Sequence, residues 1–128
     1  MAISQAMATS FKVEILTAYH NFGTTATRAG TGADTFKIAL YTSAATLSAT
    51  TTVYSATNEV SGTGYTAGGN TLTISQVPTS TSTTAWLDFA DSTWTSATIT
   101  ANGALIYNST QGNRAVAVLA FGGDKTST

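Results

Sequence analysis

The stretch TSATITANGALIYNSTQGNRAVAVLAF, residues 95–121, decides the fold. Its last eight residues, 114–121, are nearly all apolar and predict a strand at the centre of a sheet. Residues 95–110 predict two strands or one bent strand, because Asn102 and Gly103 tolerate the backbone of a tight turn or bulge. Residues 109–113 then join Tyr107 to the apolar run as a hairpin, which makes the pairing antiparallel.

Further strand patterns lie upstream of this hairpin. The segment TFKIALYTS (35–43) alternates, with Phe36, Ile38 and Leu40 on one face. Three more β-rich runs follow at 51–57, at 71–77 (ending before Pro78) and at 80–91. Six or seven short strands separated by turn signals predict a mainly β protein, a single β-sandwich or barrel-like domain over residues 1–128. We expect the sandwich itself to span about residues 35–122.

The N-terminal segment is the only part of the sequence with a convincing helical pattern. Residues 4–20 predict one α-helix, whose apolar positions recur at intervals of three or four. They form one stripe: Met7, Phe11, Ile15, Ala18 and Phe22. The opposite face, with Lys12 and Thr17, is modestly polar. This favours packing of the helix on the core over a contact with a neighbouring molecule, although the stripe fits either.

Charge is unusually scarce in this chain. Charged residues make up 9% of the sequence, against about 25% in an ordinary globular domain. Thr and Ser supply 41 residues, 28 and 13 respectively. Two interpretations stay open: much of the surface faces other protein, since interfaces are poor in Lys, Glu and Asp, or the chain is simply a Thr-rich β protein.

Composition also excludes several classes of function. The chain has no cysteine, so disulfides and thiolate metal sites are excluded. A net charge of −1 gives no basic field that would favour nucleic acid. No apolar run approaches the roughly 20 residues of a membrane helix, and we expect no membrane partner. The first residues show no basic region before an apolar stretch, so no signal peptide is expected.

A glycine-rich segment, NEVSGTGYTAGGNTLTI (58–74), raises the question of a phosphate-binding loop. Such a loop needs a helix after its glycines, because the helix N-terminus supplies the amides that hold phosphate. Here the glycines lead into an alternating, strand-like run. We therefore predict an ordered surface loop of turns. Four side chains in or near it are candidates for contacting a partner protein: Tyr54, Asn58, Glu59 and Tyr65.

The residues that bear chemistry do not form a catalytic pattern. His20 is the only histidine, no GxSxG elbow accompanies it, and its place near the helix end favours capping or packing. One His without Cys nearly excludes zinc. Asp88 and Asp91 lie three apart on a predicted strand and face opposite sides, against a glycosidase pair. We expect no catalytic, cofactor-binding or metal-binding residues, and no enzyme activity.

Aromatic side chains offer one further possibility. A sugar-stacking platform would use the following four: Trp86, Trp94, Tyr41 and Tyr107. Packing in the core or at an interface is the favoured use, because buried aromatic side chains supply large apolar contact areas.

Long segments resemble a family of small virion structural proteins of tailed bacteriophages. They are SFKVEILTAYHNF, DTFKIALYTSAATL, TNEVSGTGYTAGGNTL, WLDFADSTWTSATITANGALIYNST and NRAVAVLAFGGDKTST. The similarity follows an F-K-x-E-[IL]-L-x-x-x-H-N-F start, a FKIALYTS strand, a NEVSGTGYTAGG loop and an ALIYN…NRAVAV…FGGDK end. These blocks cover nearly the whole chain in order. The family pattern continues past GGDKTST with a further strand, and a chain lacking it would expose an edge that another subunit could fill.

The resemblance implies a non-enzymatic building block without a cofactor. We expect a capsid decoration or cement protein, made in the bacterial host cytoplasm and bound to the outer surface of the capsid. Its expected partners are the major capsid protein of the phage head and further copies of itself, as a dimer or trimer. Two alternatives stay open: a tail or neck component present in few copies, and a carbohydrate-binding module for host attachment that would use Trp86, Trp94 or the loop around Tyr54 and Tyr65.

Overall fold

The computed structural model describes residues 2–23 and 32–128. As predicted, the protein is mainly β, with two antiparallel sheets and one short helix near the N-terminus, consistent with a small β-sandwich. In chain order the elements are β1 (Ala6–Met7), α1 (Thr9–Leu16), β2 (Phe36–Tyr41), β3 (Asn70–Thr71), β4 (Ile74–Thr81), β5 (Thr84–Phe89), β6 (Ile99–Asn108) and β7 (Arg114–Ser127).

The larger sheet has the order β1-β7-β6-β2-β3, so β6 is its central strand. The predicted hairpin is confirmed, because β6 and β7 pair antiparallel across residues 109–113. Residues 99–108 form one strand, with a register irregularity between Ala101 and Gly103. A Cβ at Gly103 would lie 2.6 Å from the carbonyl oxygen of Leu119 and 2.8 Å from Ile3, so only glycine fits at this bulge.

The core lies on both faces of this sheet. Ala39, Leu105 and Val118 stand opposite one another on β2, β6 and β7 and belong to the larger apolar cluster. The next row along the strands points to the other face because side chains alternate. Its members, Leu40, Ala104 and Leu119, belong to a second cluster.

The smaller sheet is the hairpin β4–β5, and it corrects two predicted strands. The run 71–77 is divided between β3 and β4, and Pro78 lies inside β4 rather than after it. The run 80–91 contains the turn of the hairpin, where Thr81 pairs with Thr84 and Ser82 has a φ of 56°. Proline is tolerated because β4 is an edge strand and its ladder is irregular near that position. The predicted strand at 51–57 is wrong, since only Val53 forms an isolated bridge there.

The predicted helix over 4–20 is too long. Ala6–Met7 pairs with β7, and the amide of Ala8 donates to the carbonyl of Val116. Because these backbone groups are hydrogen-bonded to the sheet, the helix cannot begin at residue 4. The helix ends at Leu16, and the positive φ of Ala18 (58°) prevents its continuation. At the other end of the chain, β7 runs to Ser127, beyond the predicted end of the sandwich at 122.

The predicted apolar stripe of the helix is also wrong. Phe11 is buried, but Met7 and Ile15 are about half exposed. One turn after Phe11, the charged side chain of Glu14 faces inward, because it bonds there to His20 and Arg114. The apolar side chains of the other face, Leu16 among them, are left on the surface.

Candidate interaction surface

The glycine-rich loop connects β2 to β3 and not to a helix, so it lacks the geometry of a phosphate loop. Its glycines shape turns, as predicted. Gly64 and Gly69 have φ values of 80° and 72°. A Cβ on Gly64 would lie 2.7 Å from the backbone of Ala97, and one on Gly69 would collide with the carbonyl group of Ile38. The loop is thereby held against β2 at Gly69 and against the segment that precedes β6 at Gly64.

Three of the four predicted contact residues come together around one carboxylate. Glu59 Oε2 accepts a hydrogen bond from the Tyr54 hydroxyl at 2.7 Å. Its Oε1 accepts one from the Tyr65 hydroxyl at 2.6 Å and one from the amide of Gly68 at 2.7 Å. Such charge-assisted bonds are the strong ones in proteins. We call these four residues the Glu59 cluster.

The Glu59 cluster is tied to the core on both sides. The ring of Tyr54 stacks on that of Tyr107 at a centroid distance of 4.6 Å, and the Tyr107 hydroxyl donates to the carbonyl of Gly68 at 2.7 Å. The amide of Leu40 donates to the hydroxyl oxygen of Tyr65 at 2.9 Å. Burial first, and the bond to the carboxylate next, raise the pKa of Tyr54 and of Tyr65. Both phenols therefore stay protonated and donate.

Asn58, the fourth predicted contact residue, does not join this cluster. It is exposed, has a φ of 60°, and its side-chain amide donates to the carbonyl of Ala44 at 3.1 Å. Thus the polar groups of Tyr54, Glu59 and Tyr65 are engaged inside the protein, whereas Asn58 lies at the surface. A partner at this loop would therefore find the polar groups of Tyr54, Glu59 and Tyr65 already engaged in internal hydrogen bonds.

A second polar cluster, which sequence reasoning missed, joins the helix to the sheet at His20. The His20 side chain is fully buried, and its Nε2 lies 3.2 Å from Glu14 Oε2. Its Nδ1 lies 3.0 Å from Asn108 Nδ2, which also donates to Asp34 Oδ2 at 2.7 Å. Arg114 Nη1 donates to Glu14 at 3.4 Å. We call these five residues the His20 cluster.

The surroundings of His20 are aromatic. The ring of Phe11 lies 4.9 Å from that of His20, and Phe22 stacks on Phe36 at 4.1 Å beside it. Burial lowers the pKa of His20, and the bond to Glu14 opposes that shift without overcoming it. The prediction that His20 packs is confirmed, whereas capping does not occur, since the helix already ends at Leu16.

The four aromatic side chains considered for sugar stacking do not form a platform. Tyr41 and Tyr107 are buried, and Trp94 stacks on Tyr65 at 6.0 Å in the second core cluster. Only Trp86 of the four is a large exposed side chain, at 43% exposure on β5. Its indole Nε1 donates to Thr81 within the hairpin.

Large apolar side chains are exposed on the helix and on the hairpin, among other places in the described chain. On the helix, Leu16 is 86% and Val13 60% exposed; on the hairpin, Trp86 and Val77 are exposed as well. Exposed apolar side chains that lie close together mark contact surfaces. The exposed surface of the hairpin could have been predicted from the absence of charged residues between 74 and 87. The exposed apolar face of the helix could not, because the buried face carries the charged Glu14.

Other kinds of site find no support in the part of the chain that the structure describes. No group of three or more His, Cys, Asp or Glu side chains there is placed to hold a metal ion. None of the helices among residues 2–23 and 32–128 has the length and apolar character to cross a membrane. Comparisons with protein-family models, with curated proteins and with solved structures gave no match.

Proposed function

We propose that this protein is a structural component of a phage virion, most specifically a capsid decoration or cement protein on the outer shell. The observation that carries the proposal is the character of its surface: charged residues are scarce, and apolar side chains such as Leu16 and Trp86 are exposed. Surfaces of this kind suit contact with other protein, since interface cores are depleted in charge. The sequence resemblance to small virion proteins points the same way.

The internal polar groups fit a scaffold role. In both polar clusters the carboxylates and their partners bond to one another and join loops to the sheet. The carboxylates, phenols and imidazole of these clusters are thus engaged in holding connections against the sheet. A protein that bridges subunits needs a rigid surface, because ordering a loop on binding costs affinity.

Cementing would work by mass action. A protein that binds the assembled lattice of major capsid proteins, and not the dissociated subunits, shifts the equilibrium toward the intact shell. Small contacts suffice when several are engaged together through a homo-oligomer. Each copy would cover a subunit boundary on the outer face of the capsid.

Two measurements test this function. Quantitative mass spectrometry of purified virions gives the copy number relative to the major capsid protein, and near-stoichiometric abundance is expected. Shells lacking the protein should lose integrity at temperatures, and at low salt concentrations, that complete shells still withstand. Equal resistance of both kinds of shell would reject cementing, and a handful of copies per virion would move the protein to the neck or tail.

A carbohydrate-binding role is a second candidate because one observation favours it. Trp86 presents an exposed indole on a projecting hairpin, and aromatic faces can stack on sugars. The indole stands without the other three aromatic side chains considered for a platform. Binding of the purified protein on a glycan array, lost in Trp86→Ala, would support this candidate; silence of the array would remove it.

A further inference from the structure

The hairpin β4–β5 is set apart from the rest of the fold. Its two strands pair with each other, and neither joins the larger sheet. Its base is held by Phe89, whose ring lies 6.0 Å from that of Phe36, and by the bond from the Ala90 amide to the carbonyl of Thr73. Every residue from 77 to 86 is exposed. A lone two-stranded hairpin is marginally stable in water, so pairing with a further strand would stabilise this hairpin.

The two outer edges of the hairpin differ in their capacity to accept that strand. The edge of β4 contains Pro78, which lacks an amide hydrogen, and its ladder shifts register twice between Ile74 and Thr79. Proline and bulges are the usual devices that keep an edge from pairing. By contrast β5, with the sequence TAWLDF, has no proline or glycine and a single charge, Asp88. Nothing in the described chain pairs with its outer edge.

The edges of the larger sheet are poorer candidates. Its outermost strands, β1 and β3, are two residues long. Beyond β1 the outer side of β7 is interrupted at Gly122 and Gly123, which have φ values of 72° and 142°, and then carries the charges of Asp124 and Lys125. Within the described residues β5 is therefore the long, regular edge that lacks these protective features.

We propose that β5 pairs antiparallel with β5 of a second copy of this chain, giving a four-stranded sheet β4-β5-β5-β4 across a two-fold axis. The unpaired backbone N–H and C=O groups of an open edge strand bind another extended strand. A second copy satisfies this with an identical edge, as two-fold homodimers do. The proposal specifies the self-contact of the proposed shell protein and in that respect rests on the proposed function.

Side-chain chemistry selects the register of this pairing. A two-fold axis at Trp86 places the two Trp86 residues directly opposite each other and places Asp88 opposite the hydroxyl of Thr84. The indoles form a favourable aromatic pair once each turns away from Thr81, which accepts its Nε1 hydrogen bond in the free hairpin. An axis at Leu87 would put each carboxylate against an indole. An axis at Asp88 would oppose like charges, which is destabilising. The register centred on Trp86 therefore buries the exposed indole and keeps the carboxylates apart.

The absence of cysteine makes a direct test possible, because a single introduced cysteine can form only an intermolecular disulfide. Directly opposed residues have Cα atoms about 4.5–5.5 Å apart, within the range a disulfide bridges. In Trp86→Cys the proposed register brings the two thiols together. The matched control is Thr79→Cys, since Thr79 stands opposite Trp86 on β4. Across the dimer the two copies of residue 79 would be about 14 Å apart, three strand spacings, and cannot be bridged.

The expected result is a wild-type particle of twice 13.1 kDa by light scattering, and rapid disulfide formation in Trp86→Cys but not in Thr79→Cys. Wild-type protein that stays monomeric across a concentration series overturns the proposal. So does equal crosslinking of both variants, or crosslinking of Ala85→Cys or Leu87→Cys in place of residue 86. Circular dichroism of each variant verifies folding. Because these measurements use the free protein, failure here leaves capsid binding intact, and failure to bind shells leaves the dimer intact.

Discussion

Asn108 fixes the protonation state of His20. The Oδ1 of Asn108 accepts bonds from the amides of Thr110 and Gln111, at 3.1 and 3.2 Å, so the orientation of its side-chain amide is set. Its Nδ2, a donor, then faces His20 Nδ1 at 3.0 Å. Nδ1 must accept, and the single ring proton lies on Nε2, toward Glu14. Protonation of His20 would set two donors against each other.

The stability of the protein should therefore depend on His20 at mildly acidic pH. The pKa of His20 is lowered in the fold, so below about pH 6.5 the unfolded chain binds a proton that the folded chain rejects. This contribution is fully present above that pH and is lost as the pH falls toward the lowered pKa. Urea unfolding at a series of pH values should show the free energy of unfolding declining from about pH 6.5 downward.

The control for this prediction is His20→Phe, which removes the titrating group but keeps an aromatic ring beside Phe11. This variant should be less stable at neutral pH, because Glu14 and Asn108 lose a partner. Its stability should decline less between about pH 7 and pH 5.5 than that of the wild type. An equal decline in both proteins would show that other groups govern the acid response.

The Glu59 cluster makes a second prediction about stability. Glu59→Gln replaces a carboxylate that accepts three hydrogen bonds with an amide whose nitrogen can only donate. At least one phenol loses its acceptor, and we expect a cost of about 1–3 kcal/mol in the free energy of unfolding. The matched control is Asp91→Asn, the same change of charge at an exposed site, with an effect within about 0.5 kcal/mol. Similar urea midpoints for both variants would contradict the role given to Glu59.

Two glycines with nearly the same backbone conformation allow the cost of backbone strain to be distinguished from the cost of a steric clash. Gly69 and Gly112 have φ values of 72° and 67°, but a Cβ would strike Ile38 at the first and meet no atom within 4 Å at the second. Gly112→Ala should cost about 1 kcal/mol, the strain of a left-handed alanine. Gly69→Ala should cost about 1–3 kcal/mol more, because the loop must move off β2. Thermal unfolding of both variants makes the comparison, and equal melting temperatures would refute it.

The sequence predicted those elements in which local pattern and packing agree. The strand Phe36–Tyr41 and the hairpin after Asn108 appear as expected. The predicted face of that strand is wrong at Phe36, which packs in the larger core cluster, whereas Ile38 and Leu40 belong to the second cluster. The prediction of the helix failed, because the pattern of apolar residues cannot show that Glu14 faces inward. Glu14 contacts Arg114, which is distant in the chain, and His20, which the chain brings back toward the helix. Of the candidate site, the turns of the loop were predictable. The convergence of the Tyr54 and Tyr65 hydroxyls and the Gly68 amide on Glu59 was not, because residue types alone do not show which groups the turns bring together.

The helix buries the charged Glu14 and exposes the apolar Leu16. This arrangement yields the last prediction, which distinguishes an effect on folding from an effect on binding. Phe11 is 4% and Leu16 86% exposed on the same helix. Phe11→Ala should cost about 3–5 kcal/mol in the free energy of unfolding, because it leaves a cavity among the aromatic rings of Phe22 and His20. Leu16→Ala should change stability by less than about 0.5 kcal/mol. If the helix face contacts the shell, Leu16→Ala should nevertheless lower the amount of protein that sediments with purified capsids. Unchanged sedimentation would assign shell binding to another surface, and a large loss of stability would show that Leu16 is covered in the folded protein.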